Sequence, residues 1–296
     1  MKLRDTELNK AHFNILSEEE KKSFFREEFE SEGAFSGISQ EDSIDINTKE
    51  HSLNLRNEIL RLLEQKGIIQ GACELENLHE LLDDEMREYN FVSGVNKISQ
   101  FFYENDKQFE DVYLRYIKYL YQEYFKFPFY FQKVPTIRLH CPNGKNSHHY
   151  PRYHTDIGYG HPPQEINLWV PLTNVIGEQK HGFRFMDIRN TRKILNEFDY
   201  DFPSFIDKAI NDKGFNKELD KFAPESATRL GDTMVFDARC LHTGEPLESH
   251  TRVSIDVRII SVENYNSMKY RFQGAGKRKV MFESGACYHE LPIDRI

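Results

Sequence analysis

Residues 252–259 alternate without a break. Val253, Ile255, Val257 and Ile259 are apolar, while Arg252, Ser254, Asp256 and Arg258 are polar or charged. Successive side chains on a strand point to opposite faces, so this stretch reads as a strand with one oily face and one ionic face. Few folds can house it. The oily face has to pack under other apolar elements, and the helical N-terminal third of the chain offers them. The ionic face then lines an enclosed space, where each charge needs a partner. A small double-sheet barrel or jelly roll buttressed by helices meets both demands.

The remaining sequence agrees with that reading. Ser17 and Glu20 carry the spacing of a capping box at the start of a charged helix. Residues 33–51 are polar and loop-like, a connector or a flap over substrate. Over 51–68, Leu55, Ile59, Leu62 and Leu63 recur at helical spacing, and Gly67 is a plausible stop. Further helices are expected over 76–91 and 96–126, ending before Pro128. Strand signals follow at 129–141, 152–156, 166–173, 182–187, 227–230, 233–242 and 252–260. Residues 187–222 form a helical insertion, and 263–296 are weakly patterned. The expectation is one α+β domain, with a mainly helical part at 1–127, a β core at 128–262 and a tail at 263–296.

Chemistry concentrates in two stretches. His154 and Asp156 stand one residue apart, and on a strand they would face the same way. His242 ends the predicted strand 233–242. Two imidazoles and a carboxylate without a thiolate suit Fe(II), Mn(II) or Zn(II) and leave coordination positions open. Ten residues beyond His242 lies Arg252, a fork of donors suited to a carboxylate, with the Ser254 hydroxyl on the same face. A cation so placed could anchor a dianionic cosubstrate whose other end chelates the metal. The competing reading is a structural salt bridge, for instance of Arg252 or, more so, Arg258 with Asp256.

The order His154-x-Asp156, His242, Arg252-x-Ser254 resembles the Fe(II)/2-oxoglutarate-dependent oxygenases. The run 154–175 resembles in particular their phytanoyl-CoA-hydroxylase-like and streptomycin-biosynthesis branch. The resemblance covers roughly residues 135–260 and implies a double-stranded β-helix. It implies iron on His154, Asp156 and His242, the far carboxylate of 2-oxoglutarate on Arg252 and Ser254, and Asn167 near the cosubstrate's other end. O2 would convert 2-oxoglutarate to succinate and CO2 and leave an oxidant for a substrate C–H bond. Related halogenases replace the aspartate with a small residue, so Asp156 favours hydroxylation over halogenation and leaves desaturation or ring formation open. The segment after residue 175 departs from the family pattern, so substrate residues do not transfer.

The substrate side rests on position alone. Arg138, His148, Tyr150, Tyr153 and Arg239 lie near the motifs and suit a polar small molecule, as in a biosynthetic pathway. The chain has 39 Lys and Arg against 48 Asp and Glu, a net charge of −9, which speaks against nucleic acid as a partner. No apolar run approaches the roughly 18 residues of a membrane span, and no secretory signal is visible. Scattered Cys73, Cys141, Cys240 and Cys287 fit a reducing cytoplasm and neither a disulfide framework nor a thiolate zinc site. Competing readings are a cupin-type isomerase or hydrolase with a metal-bound water, and a binding protein that kept the fold.

Overall fold

The computed structural model describes residues 10–90, 95–103, 106–142, 152–174, 182–244, 249–274, 282 and 288–290. Helix α1 spans Glu18–Glu30 and opens on the expected box: Ser17 Oγ accepts from Glu20 N while Glu20 Oε2 accepts from Ser17 N at 2.8 Å. Helix α2 spans Lys49–Gln65 and α3 spans Lys107–Leu120. Gly67 follows α2 at φ +71°, a left-handed position that glycine adopts freely.

Among the described residues, nine strands form the two sheets around the site. They are β1 (Ser43–Asn47), β2 (Phe129–Gln132), β3 (Thr136–His140), β4 (Ile166–Pro171), β5 (Phe183–Phe185), β6 (Asp232–Asp237), β7 (His242–Gly244), β8 (Arg252–Ser261) and β9 (Tyr288–Glu290). Seven form one antiparallel sheet in the order β1-β6-β4-β8-β2-β9, with β3 also paired to β8. β8 is its spine. β4 runs along one edge, from Ser254↔Pro171 to Ile259↔Ile166. β3 and β2 follow end to end on the other, split at residues 133–135, with Arg252↔His140 and Ile259↔Phe131 in register. The second sheet is the β5–β7 pair, with Phe183↔Gly244 and Phe185↔His242.

The two faces of β8 go where the alternation sends them. Val253, Ile255, Val257 and Ile259 are fully buried in one cluster with Leu55 and Ile59 of α2 and Tyr116 and Ile117 of α3. Burying each such side chain stabilises the fold by about 1.5–3 kcal/mol. Arg252, Ser254, Asp256 and Arg258 line a cleft on the opposite face. Between the sheets Trp169, Phe183, Met234 and Phe236 form a smaller cluster, and Trp169 stacks on Phe183 at 4.6 Å and 12°.

Several local expectations change. Residues 76–91 are not one helix: a 3-10 turn at Leu75–Glu80 gives way to Asp84–Arg87, because the Asp83 side chain takes the Met86 N–H and starts a new turn. Asp106 likewise caps α3 and interrupts the helix expected over 96–126. Within 33–51, Ser43–Asn47 is an edge strand on β6 with Ile46 buried. Residues 227–230 are not a strand, since the Thr228 hydroxyl turns to Asp45 at 2.7 Å.

The insertion is helical as expected, with α4 at Ile188–Glu197, α5 at Phe202–Asn211 and α6 at Lys213–Leu219. Its Leu195, Phe202 and Phe205 are buried in a second core with Phe25 and Phe29 of α1. Among the described residues it contributes nothing to the cleft lining. No described helix is long and apolar enough to cross a membrane.

Candidate metal centre and carboxylate pocket

His242 is not the end of strand β6. The chain turns at 238–240 and crosses to the second sheet, where His242 begins β7. There it meets His154 through reciprocal backbone bonds, His154 N to His242 O at 3.1 Å and His242 N to His154 O at 3.0 Å. His154 is a single bridge residue rather than part of a strand at 152–156. Thr155 caps a 3-10 turn at Asp156–Tyr159, and this turn, not strand parity, brings the Asp156 carboxylate alongside the histidines.

Each imidazole is fixed through its far nitrogen. His154 Nδ1 lies 2.8 Å from Arg152 O and His242 Nδ1 lies 3.0 Å from Cys240 O. A carbonyl only accepts, so the proton sits on Nδ1 and the Nε2 lone pair is left for a ligand. Both Nε2 atoms stand 4.0 Å from Asp156 Oδ1. Burial, together with the neighbouring His242, holds His154 unprotonated down to about 3, and burial lowers His242 as well.

The other carboxylate oxygen is occupied. Asp156 Oδ2 accepts from Arg258 Nε at 2.7 Å and from Asn167 Nδ2 at 2.9 Å. Burial would raise this carboxyl's pKa, but the charge and hydrogen bond of Arg258 outweigh it and hold it well below the usual range. Behind Arg258 sits buried Glu165, 3.9 Å from its Nε and 2.8 Å from His161 Nδ1. Asp156 thus enters the cleft ionised, with Oδ1 directed at the histidines. The three donor groups lie within 4.8 Å of one another and are buried. The set is nitrogen and oxygen without sulfur, which fits Fe(II).

Further along the cleft, Arg252 is 2% exposed. Its Nη1 donates to Gly182 O at 3.0 Å and its Nη2 to His140 Nδ1. Burial and the Arg252 charge push the His140 pKa well down, so the imidazole is a neutral acceptor. Ser254 Oγ and Asn167 Oδ1 are buried and meet no partner among the described residues. Such groups are costly unless a ligand or water completes them, so the cleft is built for a polar guest.

Of the positions tied to substrate by sequence, Arg138 lines the cleft and pairs through Nε with Asp256. That replaces the expected Arg258–Asp256 pair, since Arg258 is bound to Asp156. Tyr153 points into the second core and donates to Asp220 Oδ1 at 2.7 Å. Arg239 is also away from the cleft lining. It donates to Asp237 at 2.7 Å and to the carbonyls of Glu28, Ser31 and Glu32 at 2.7, 3.0 and 3.0 Å, tying the end of α1 to the turn before His242. His148 and Tyr150 lie outside the described residues. Sequence reasoning missed the roles of Arg258 and His140. Parity held the signal for both, because Arg258 shares a face with Arg252, and His140 with Arg138.

No family model matches the chain. Over 48 residues it is 44% identical to the streptomycin biosynthesis protein StrG of Streptomyces griseus, a stretch that makes up 16% of this chain and 23% of that protein. The match therefore spans under a quarter of the curated relative's length. Among solved structures, the chain is similar to the non-heme alpha ketoglutarate dependent carbocyclase SnoK from nogalamycin biosynthesis (14% identity, 96% of this chain and 100% of that one, TM-score 0.42). It is also similar to EctD from S. alaskensis with bound Fe (10% identity, 82% and 77%, TM-score 0.40). At these TM-scores the likeness decides neither fold nor chemistry.

Proposed function

We propose that the chain is an Fe(II)- and 2-oxoglutarate-dependent oxygenase, a single domain on a double-stranded β-helix, hydroxylating a polar small molecule in a biosynthetic pathway. The observation that carries this reading is the pairing of two features in one cleft. His154, Asp156 and His242 offer three converging donors, and Arg252 with Ser254 offers a buried carboxylate pocket from one face of β8. A hydrolytic metal site has no need of the second feature.

With iron bound, the cosubstrate and O2 supply the oxidation of a C–H bond, releasing succinate and CO2. The chain's own residues do the rest. The two carbonyl-anchored histidines and Asp156 hold the metal. Arg258 and Asn167 keep Asp156 ionised and oriented. Arg252 and Ser254 receive the far carboxylate of 2-oxoglutarate. Trp169, Phe183 and Phe236 line the cleft with apolar surface, which strengthens every ionic contact inside it. Arg138 at the cleft is the residue of choice for contact with a polar substrate.

The test is anaerobic titration with Fe(II) and then 2-oxoglutarate, following the visible metal-to-ligand charge-transfer band. The band is expected in the wild-type protein, absent in His242→Ala and weakened in Arg252→Ala. Iron binding without a band would move a cupin-type isomerase or hydrolase ahead.

A further inference from the structure

Gly244 lies on β7 two residues beyond the ligand His242, opposite Phe183. It adopts no left-handed backbone conformation, so chain geometry does not demand glycine there. What it faces is the Arg252 side chain. A Cβ built on Gly244 would stand 2.5 Å from Arg252 Nη2, 3.1 Å from Nη1 and 3.2 Å from Cζ. The guanidinium thus rests against the bare backbone of β7, with Gly182 O accepting from Nη1 and His140 Nδ1 accepting from Nη2.

We infer that Gly244 is a specificity-determining position. Its missing side chain sets where the Arg252 fork lies, and His140 sets how it is turned, so that together they match the pocket to the far carboxylate of a five-carbon oxo-diacid. Gly244 and His140 are positioning residues that act through Arg252. The inference rests on the oxygenase reading above.

The steric argument predicts which atoms yield. A methyl at 244 meets the far end of a long side chain, not a strand or a helix, so the guanidinium moves and the fold does not. Arg252 would then lose the alignment on which a paired, charge-assisted carboxylate contact depends. The ligand set at His242 keeps its own anchors, Cys240 O and the backbone bonds to His154.

The chain contains one tryptophan, Trp169, and it lines this cleft, so its fluorescence reports binding directly. Wild-type protein and Gly244→Ala, loaded anaerobically with Fe(II), are titrated with 2-oxoglutarate and with pyruvate, which lacks the far carboxylate. The expected result is a loss of about tenfold or more in 2-oxoglutarate affinity, the scale of one charge-assisted hydrogen bond. Pyruvate and Fe(II) affinities should stay within about twofold. The cycle is closed in an Arg252→Lys background, where no guanidinium rests against β7. There Gly244→Ala should change 2-oxoglutarate affinity by no more than about twofold. His140→Gln provides an independent arm and should lower 2-oxoglutarate affinity while sparing pyruvate. Equal 2-oxoglutarate affinity in wild type and Gly244→Ala overturns the inference, as does an equal loss in both backgrounds. Wild-type protein that prefers 2-oxoglutarate no more than pyruvate overturns the carboxylate-pocket reading itself, and the inference falls with it.

Discussion

Arg258 donates from Nε to Oδ2 of Asp156 at 2.7 Å, and the opposite oxygen of that carboxylate lies 4.0 Å from the Nε2 of both His154 and His242. One arginine therefore keeps the carboxylate ionised in a buried setting and decides which of its oxygens faces the histidines.

Arg258→Gln should be damaging on two counts. It leaves Asp156 and Glu165 buried without their cation, a loss of about 3–5 kcal/mol of stability. It also frees the carboxylate to rotate, weakening metal affinity by about 10–100-fold. Urea denaturation and competition against a chelator measure the two separately. Arg258→Lys should rescue only part of the affinity, because a point charge does not reproduce the guanidinium's directed Nε–H.

Asn167→Ala removes the 2.9 Å bond to the same oxygen without stripping a charge. Metal affinity is expected to fall by about tenfold, with stability lowered by only about 1 kcal/mol. A change in 2-oxoglutarate affinity with metal affinity unmoved would assign Asn167 to the cosubstrate instead.

The buried histidines set a pH dependence. His154 remains neutral down to about 3 in the folded chain, against about 6.5 in an unfolded one. Below about 6.5 the unfolded state therefore binds a proton that the folded state refuses. The stability contribution is complete above that value and is lost as pH falls toward 3, by at most about 1.4 kcal/mol per pH unit for this residue. Metal-free wild-type protein should lose stability between pH 6.5 and 4 in urea melts, and His154→Gln should lose less. The same neutrality predicts that binding a divalent metal near pH 7 displaces few protons, which calorimetry in two buffers of different ionisation enthalpy can check.

Arg239→Ala separates support from recognition. Its guanidinium is buried on Asp237 and three carbonyls at the end of α1. Its loss should cost about 3–5 kcal/mol, seen as a lower denaturation midpoint. The affinity of the remaining folded protein for 2-oxoglutarate should be unchanged within about twofold. A selective loss of ligand affinity at unchanged stability would return Arg239 to the substrate side.

The sequence spoke most clearly where a period ran long. The alternation of β8 forecast both of its environments, and the spacing of Leu55, Ile59 and Leu62 forecast α2. Legibility failed where one side chain captured a backbone group. Asp83 and Asp106 ended helical patterns by taking an N–H, and Thr228 left the expected strand for Asp45. The triad was visible as residue types, but its geometry was not. His154 and His242 are joined by an isolated bridge that no local pattern announces, and Asp156 is delivered by a 3-10 turn. Arg239 and Arg138 looked alike in sequence, yet burial against carbonyls separated one from the cleft while the other stayed in it.

Because side chains on β8 repeat with a period of two, slippage of that strand by a single residue would exchange its faces. Two arginines and an aspartate would be driven among Leu55, Ile59 and Ile117, and four aliphatic side chains would crowd the cleft. A mispaired sheet is thus penalised in its packing at the same moment that it loses its chemistry. The strand works as a proofreader of its own assembly: a chain that has buried this core correctly has already placed its arginines.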